Sequence, residues 1–187
     1  KAFFKISKFF CYFVQNKNMI ISLIGYMGSG KSHISKVLSD KLHLKLIDLD
    51  HEISLKNKLT IPQIFEKKGE IYFRKQEREL LEEIFATKDQ LILSVGGGTP
   101  AYYNNIEVIN QNSESIFLRT SVKTLTERLL KQKQKRPLIA NIADEDLPEF
   151  IAKHLFERNF YYSKAKYTVD TDDKEVGDIV EEIERLF

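Results

Sequence analysis

The 187-residue chain has one cysteine, Cys11, and no tryptophan. A single thiol excludes an intrachain disulfide framework and fits a reducing compartment such as the cytoplasm. Its four histidines (His33, His43, His51 and His154) are scattered without metal-ligand spacing, which excludes a His/Cys metal centre. An excess of one charge is also missing. With 29 basic and 27 acidic residues the formal net charge is +2. That balance gives no general argument for nucleic acid or an anionic membrane as partner. The run from Phe9 to Val14 is far too short to cross a bilayer. There is no repeat and no linker-like stretch, so the length suits one domain with a core of its own.

What is present begins oddly. Residues 1–18, KAFFKISKFFCYFVQNKN, hold four lysines, five phenylalanines and no acid. No small-residue cleavage site follows, which argues against a signal peptide. The expectation is an extension of 1–18 ahead of a domain over 19–187, with Met19 as its natural start.

After that, element types alternate. Ile20 to Ile24 reads as a buried strand and Lys31 to Leu42 as a helix. Leu44 to Ile47 reads as a second strand, ending at Asp48. Thr60 suits an N-cap, Pro62 an early helical position and Gly69 a stop, with a longer helix over 70–85. Leu91 to Val95, Ser115 to Leu118 and Tyr167 to Val169 read as further strands. Helices are expected from Ser121 to about Leu130, up to about Lys164, and from Glu175 to Phe187. This alternation predicts an α/β fold: a five-stranded parallel sheet with helices on both faces. Ligands in such sheets gather beyond the carboxyl ends of the strands.

Three motifs follow strands directly. The first is GYMGSGKS, Gly25 to Ser32, with the spacing of a phosphate-binding P-loop. Backbone N–H groups around Gly28, Ser29 and Gly30 would cradle phosphates, Lys31 would reach the β- and γ-phosphates, and the Ser32 hydroxyl would ligate Mg²⁺. The second is Asp48-Leu49-Asp50. On an extended chain both carboxylates would point to one face, one to hold the metal's water shell and one to take a proton from an attacking hydroxyl. The third is Gly96-Gly97-Gly98, where three glycines would let a ligand touch bare backbone. Arg74, Arg136 and Arg158 stand out among the basic residues. Arg136 closes the run RLLKQKQKRP, Arg128 to Pro137, which holds five positive charges and no acid. A basic lid over 128–142 fits this run better than a nucleic-acid surface, since no aromatics are interleaved.

Other P-loop classes lack support. There is no guanine-reading N-K-x-D after the loop, and LILSV ends in glycines rather than Asp-Glu. A compact kinase acting on a small molecule remains. Here the sequence resembles the shikimate kinase family, over Gly25 to about Thr171. The resemblance rests on GYMGSGKS, on D-x-D followed by IPQIFEKKGEIYFRKQE, on GGGTP, on KRPL and on ERNFYYSKA, in that order. It implies transfer of the γ-phosphate of ATP to the 3-hydroxyl of shikimate, with Mg²⁺. Asp50 would hold the shikimate hydroxyls and help take the proton, and Asp48 would lie in the metal's outer shell. Arg74 and Arg158 would pair with the shikimate carboxylate. Gly97 and Gly98 would meet the ring, Arg136 would reach the phosphates as the lid closes, and Arg128 would lie near adenine. Phe160 stands where the family usually has proline, and the lid is unusually basic. A monomer with only small-molecule partners, free of nucleic acid and membrane, completes the expectation. A gluconate or nucleoside-phosphate kinase would share the P-loop, as would a noncatalytic nucleotide-binding regulator.

Overall fold

The structure, a computed structural model, describes residues 18–187. The expected extension therefore lies, save for Asn18, outside the described residues. Five strands form one sheet: β1 (Ile20–Ile24), β2 (Lys45–Asp48), β3 (Leu91–Ser94), β4 (Glu114–Arg119) and β5 (Tyr167–Asp170). All pairings are parallel, in the order β2-β3-β1-β4-β5. The helices are α1 (Lys31–Leu42), α2 (Leu49–Asn57), α3 (Ile61–Ala86), α4 (Asn105–Asn112), α5 (Val122–Leu130), α6 (Pro137–Ala140), α7 (Leu147–Tyr162) and α8 (Val176–Glu184).

Side-chain alternation on the strands builds two cores. Ile20 and Ile24 of β1, Leu91 and Leu93 of β3, and Phe117 of β4 face one cluster, completed by residues of α2 to α7 such as Ile53, Leu81, Ile106, Leu125 and Ile151. Ile21 and Leu23, Ile92, and Ile116 and Leu118 face the other, closed by Ile34 and Leu38 of α1 and by Ile179 and Ile183 of α8. Because both faces are covered, the central strands read as continuous apolar runs rather than alternating ones.

Besides the four-residue α6 within the expected lid, two helices depart from the sequence expectation. Leu49–Asn57 is helical, so the D-x-D segment is not extended: Asp48 ends β2 as the N-cap of α2, and Asp50 lies in the first helical turn. Only Leu49 and Ile53 of this helix are buried, too few apolar residues to show a helical period. Asn105–Asn112 is the other, rich in asparagine and β-branched residues of low helix propensity, and it is held by burial of Asn105, Ile106 and Ile109. The reading around Gly69 holds. Thr60 caps α3 in a reciprocal box with Gln63, and Gly69 interrupts the helix at φ 81°, ψ 168°, a conformation open to glycine.

Candidate active site

The strand register builds the site. Asp48 of β2 and Leu23 of β1 both pair with Ser94 of β3. Two residues further along each chain stand Asp50, Gly25 and Gly96, at one edge of the sheet. β1 lies between β3 and β4, which are reached by connections in opposite directions, so this edge is the switch point where such sheets bind ligands.

An open cleft of about 700 Å³ occupies the place. The P-loop residues Gly28, Ser29, Gly30, Lys31 and Ser32 line one wall, with Gly30 as N-cap of α1. Asp48, Asp50, Gly96 and Gly97 line the next. Arg128 and Arg136 close it from the segment after β4, and Lys174, Glu175 and Val176 from the start of α8. These last three were not singled out in the sequence, since a polar turn before a helix carries no signal of its own.

Lys31 Nζ donates to the carbonyls of Gly25 (2.6 Å) and Tyr26 (3.0 Å), folding back over its own loop. Burial lowers its pKa to about 8, against the opposing pull of Asp50 and Asp48. Asp50 is pushed up to about 6, first by burial and then by the neighbouring carboxylates Glu77 and Asp48. One oxygen of Asp48 accepts the His51 N–H at 3.1 Å. Arg136 is half-buried, and its Nε is enclosed without a hydrogen-bond partner. Ser29 Oγ is likewise buried and unpartnered.

Arg128, expected near adenine, directs Nη1 at the carbonyls of Gly28 and Ser29 (3.3 Å each) and Nη2 at Thr171 O (3.4 Å). It braces the P-loop as well as lining the cleft. The expected lid consists of the end of α5, a 3₁₀ turn at Lys133–Lys135 and α6. Buried Ile139 and a Lys133–Asp144 ion pair of 2.5 Å tie it down.

Arg74, Gly98 and Arg158 do not line this cleft but adjoin it. Arg74 is buried, contrary to the ordinary fate of a helical arginine. Its Nη1 donates to Glu77 (2.9 Å), its Nε and Nη2 to Glu70 (3.1 Å each), and its guanidinium lies 4.1 Å from the Tyr102 ring centre. Glu77 is fully buried and also accepts a short hydrogen bond from Thr99 Oγ1. Sequence reasoning assigned Glu77 no role; the available signal was its position three residues after Arg74, on the same helical face. Arg158 stands 5.6 Å from the Tyr26 ring centre, and its charge is felt at both Lys31 and Glu70. Phe160 leaves α7 unbroken and is largely exposed, so the missing proline does not displace Arg158 by a kink.

The glycines are required by protein atoms as well as by any ligand. A Cβ on Gly96 would fall 2.7 Å from Asp50 Oδ1, and one on Gly98 would fall 2.7 Å from Arg74 Nη1. Gly97 has more room, with its nearest neighbour at 3.5 Å. Tyr162 donates its hydroxyl to Gly97 O and so ties the glycine segment to α7.

Known proteins agree with this geometry. The shikimate kinase family model matches residues 27–186. A shikimate kinase of Flavobacterium psychrophilum is 49% identical over 89% of this chain and 97% of its own length. The crystal structure of shikimate kinase from Bacteroides thetaiotaomicron superposes with a TM-score of 0.84 at 32% identity, covering 90% of this chain and 97% of that one. Shikimate kinase from Acinetobacter baumannii, solved in complex with shikimate, gives 0.81 at 32% identity, over 92% and 95%. With the P-loop, the paired aspartates and the glycine segment meeting at one sheet edge, the chain belongs to the shikimate kinase family.

Proposed function

We propose the following division of labour for the reaction of this family, in which ATP phosphorylates shikimate at its 3-hydroxyl. The N–H groups of Gly28 to Ser32 and the start of α1 receive the β- and γ-phosphates of ATP. Lys31 leaves the Gly25 and Tyr26 carbonyls for those phosphates. Its buried ammonium is poorly solvated by the protein, and anionic oxygens would further favour its charged form. Arg136 brings its unpartnered Nε to the transferring group as the segment 128–142 closes. Arg128 holds the loop in shape from behind.

Shikimate sits beside Asp50. Arg74 and Arg158 take its carboxylate, and the segment Gly96 to Gly98 lies along its ring. Asp50 accepts the proton of the 3-hydroxyl as that oxygen bonds to the γ-phosphorus. The bond from phosphorus to the β-phosphate oxygen breaks, and ADP leaves. A carboxyl group poised near pH 6 is well matched to that proton transfer at neutral pH.

The donor set fits Mg²⁺. Ser32 Oγ and the Asp48 carboxylate offer hard oxygen donors on one cleft, beside the site for the phosphates. When bound, Mg²⁺ would neutralise phosphate charge, with Ser32 as ligand and Asp48 acting through water.

Among the described residues no helix is long and apolar enough to cross a membrane. We further infer a cytoplasmic monomer working on small molecules, with residues 19–187 as its catalytic unit; the single cysteine is in keeping with a reducing compartment.

The observation that carries the reading is the register that sets Asp50, Gly96 and the P-loop at one level. The test is ADP release with ATP and Mg²⁺ against shikimate, gluconate and nucleoside monophosphates. Turnover is expected with shikimate alone. Turnover only with another acceptor would overturn the assignment.

A further inference from the structure

Arg74, the residue read above as the shikimate carboxylate's partner, meets protein carboxylates with all three of its guanidinium nitrogens. Two carboxylates share it, and they differ in kind. Glu77 is completely buried, holds Nη1 and is itself held by Thr99. The Glu70 side chain is 51% exposed, and it meets Arg74 through one oxygen only. That oxygen, Oε1, accepts from Arg74 Nε, from Arg74 Nη2 and from the Tyr102 hydroxyl at 2.9 Å. The Nε–Nη2 edge is one that a bound carboxylate pairs with in two parallel hydrogen bonds. Glu70 therefore occupies a carboxylate position, and it does so from the solvent side, where its departure costs little desolvation.

We propose that Glu70 is an internal stand-in for the substrate carboxylate, and that Tyr102 is a further substrate-binding residue. Shikimate binding is then an exchange. The incoming carboxylate takes the Nε–Nη2 edge of Arg74 and the Tyr102 hydroxyl, while Glu70 swings into solvent. Glu77 keeps its hold on Nη1 throughout, so the guanidinium plane stays fixed between Gly98 and the Tyr102 ring. The stand-in keeps the Nε–Nη2 edge of the buried Arg74 paired, since Glu77 reaches Nη1 only. It also favours ligands whose carboxylate can displace an existing one, so a ring bearing hydroxyls alone gains nothing from opening it.

This inference rests on the role given to Arg74, and the experiment separates the two. Shikimate is titrated by calorimetry into the wild-type protein and into Glu70→Gln, Tyr102→Phe and Arg74→Ala. Glu70→Gln is expected to bind about two- to fivefold more tightly, the worth of a half-exposed ion pair removed from competition. An analogue of shikimate lacking the carboxylate should bind the wild type and Glu70→Gln alike. Tyr102→Phe should weaken shikimate about tenfold, as expected for a lost hydrogen bond to a charged group, and leave ATP binding unchanged. If Arg74→Ala abolishes shikimate binding while Glu70→Gln weakens it or leaves it unaltered, Glu70 is a support for Arg74 and the stand-in role is refuted. If Arg74→Ala binds shikimate as the wild type does, the role given to Arg74 fails first, and this inference falls with it.

Discussion

Asp50→Asn should make the protein more stable and nearly inactive at once. The carboxyl group is displaced from its ordinary 3.8 to about 6. In the unfolded chain it ionises near its ordinary value. Between those two pH values the folded state keeps a proton that the unfolded state has lost. Stability therefore falls as pH rises through this window, and above it the whole penalty is present. Two pH units at about 1.36 kcal/mol each give an upper bound of about 3 kcal/mol. Asp50 lines an open cleft, and water in the cleft offsets part of that, leaving about 1–2 kcal/mol. Asparagine carries no charge and escapes the penalty, and it keeps the size and a hydrogen-bonding oxygen. Urea unfolding of both proteins between about pH 4.5 and pH 8 should show a gap that widens with pH and levels off above about pH 6.5. Turnover by the variant should drop about 100- to 10,000-fold, the worth of a positioned general base, while ATP binding survives on Lys31 and Ser32. A gap that is flat with pH, or a less stable variant at pH 8, would refute the account of crowded, buried carboxylates. Wild-type turnover would remove Asp50 from the proton transfer.

Three further outcomes are expected. Arg74→Ala and Arg158→Ala should each raise the shikimate KM by the loss of a desolvated charge pair, about 2–5 kcal/mol, with the ATP KM nearly unchanged; the reverse pattern in steady-state kinetics would contradict both assignments. Arg136→Ala should lower kcat more than it raises either KM, because its charge meets the phosphoryl group as charge redistributes; losses confined to ATP binding would make it a ground-state anchor only. Gly98→Ala should raise the shikimate KM, since its Cβ would fall 2.7 Å from Arg74 Nη1, whereas Gly97→Ala, with 3.5 Å of clearance, should keep wild-type stability; equal thermal unfolding and equal KM for both variants would show that Arg74 shifts freely.

The sequence by itself determined the sheet, the P-loop and the order of the motifs. Continuous apolar runs such as LILSV are local signals, and so are the spacing of GYMGSGKS and the capping residues Thr60 and Ser121. Helix α2 was not legible, because its apolar content is two buried residues and its stability comes from packing on α3 and capping by Asp48. For the same reason Asp50 was expected on an extended strand and sits in a helical turn. Tertiary structure alone decided which charges are buried. Arg74, on an ordinary-looking polar helix, is enclosed because Glu77 of its own helix and, from the distant segment after β3, Gly98 and Tyr102 meet it. The same convergence explains the triple glycine. Gly96 and Gly98 are small because Asp50 and Arg74 lie 2.7 Å from where their Cβ atoms would be, contacts made across chain separations that no local pattern records.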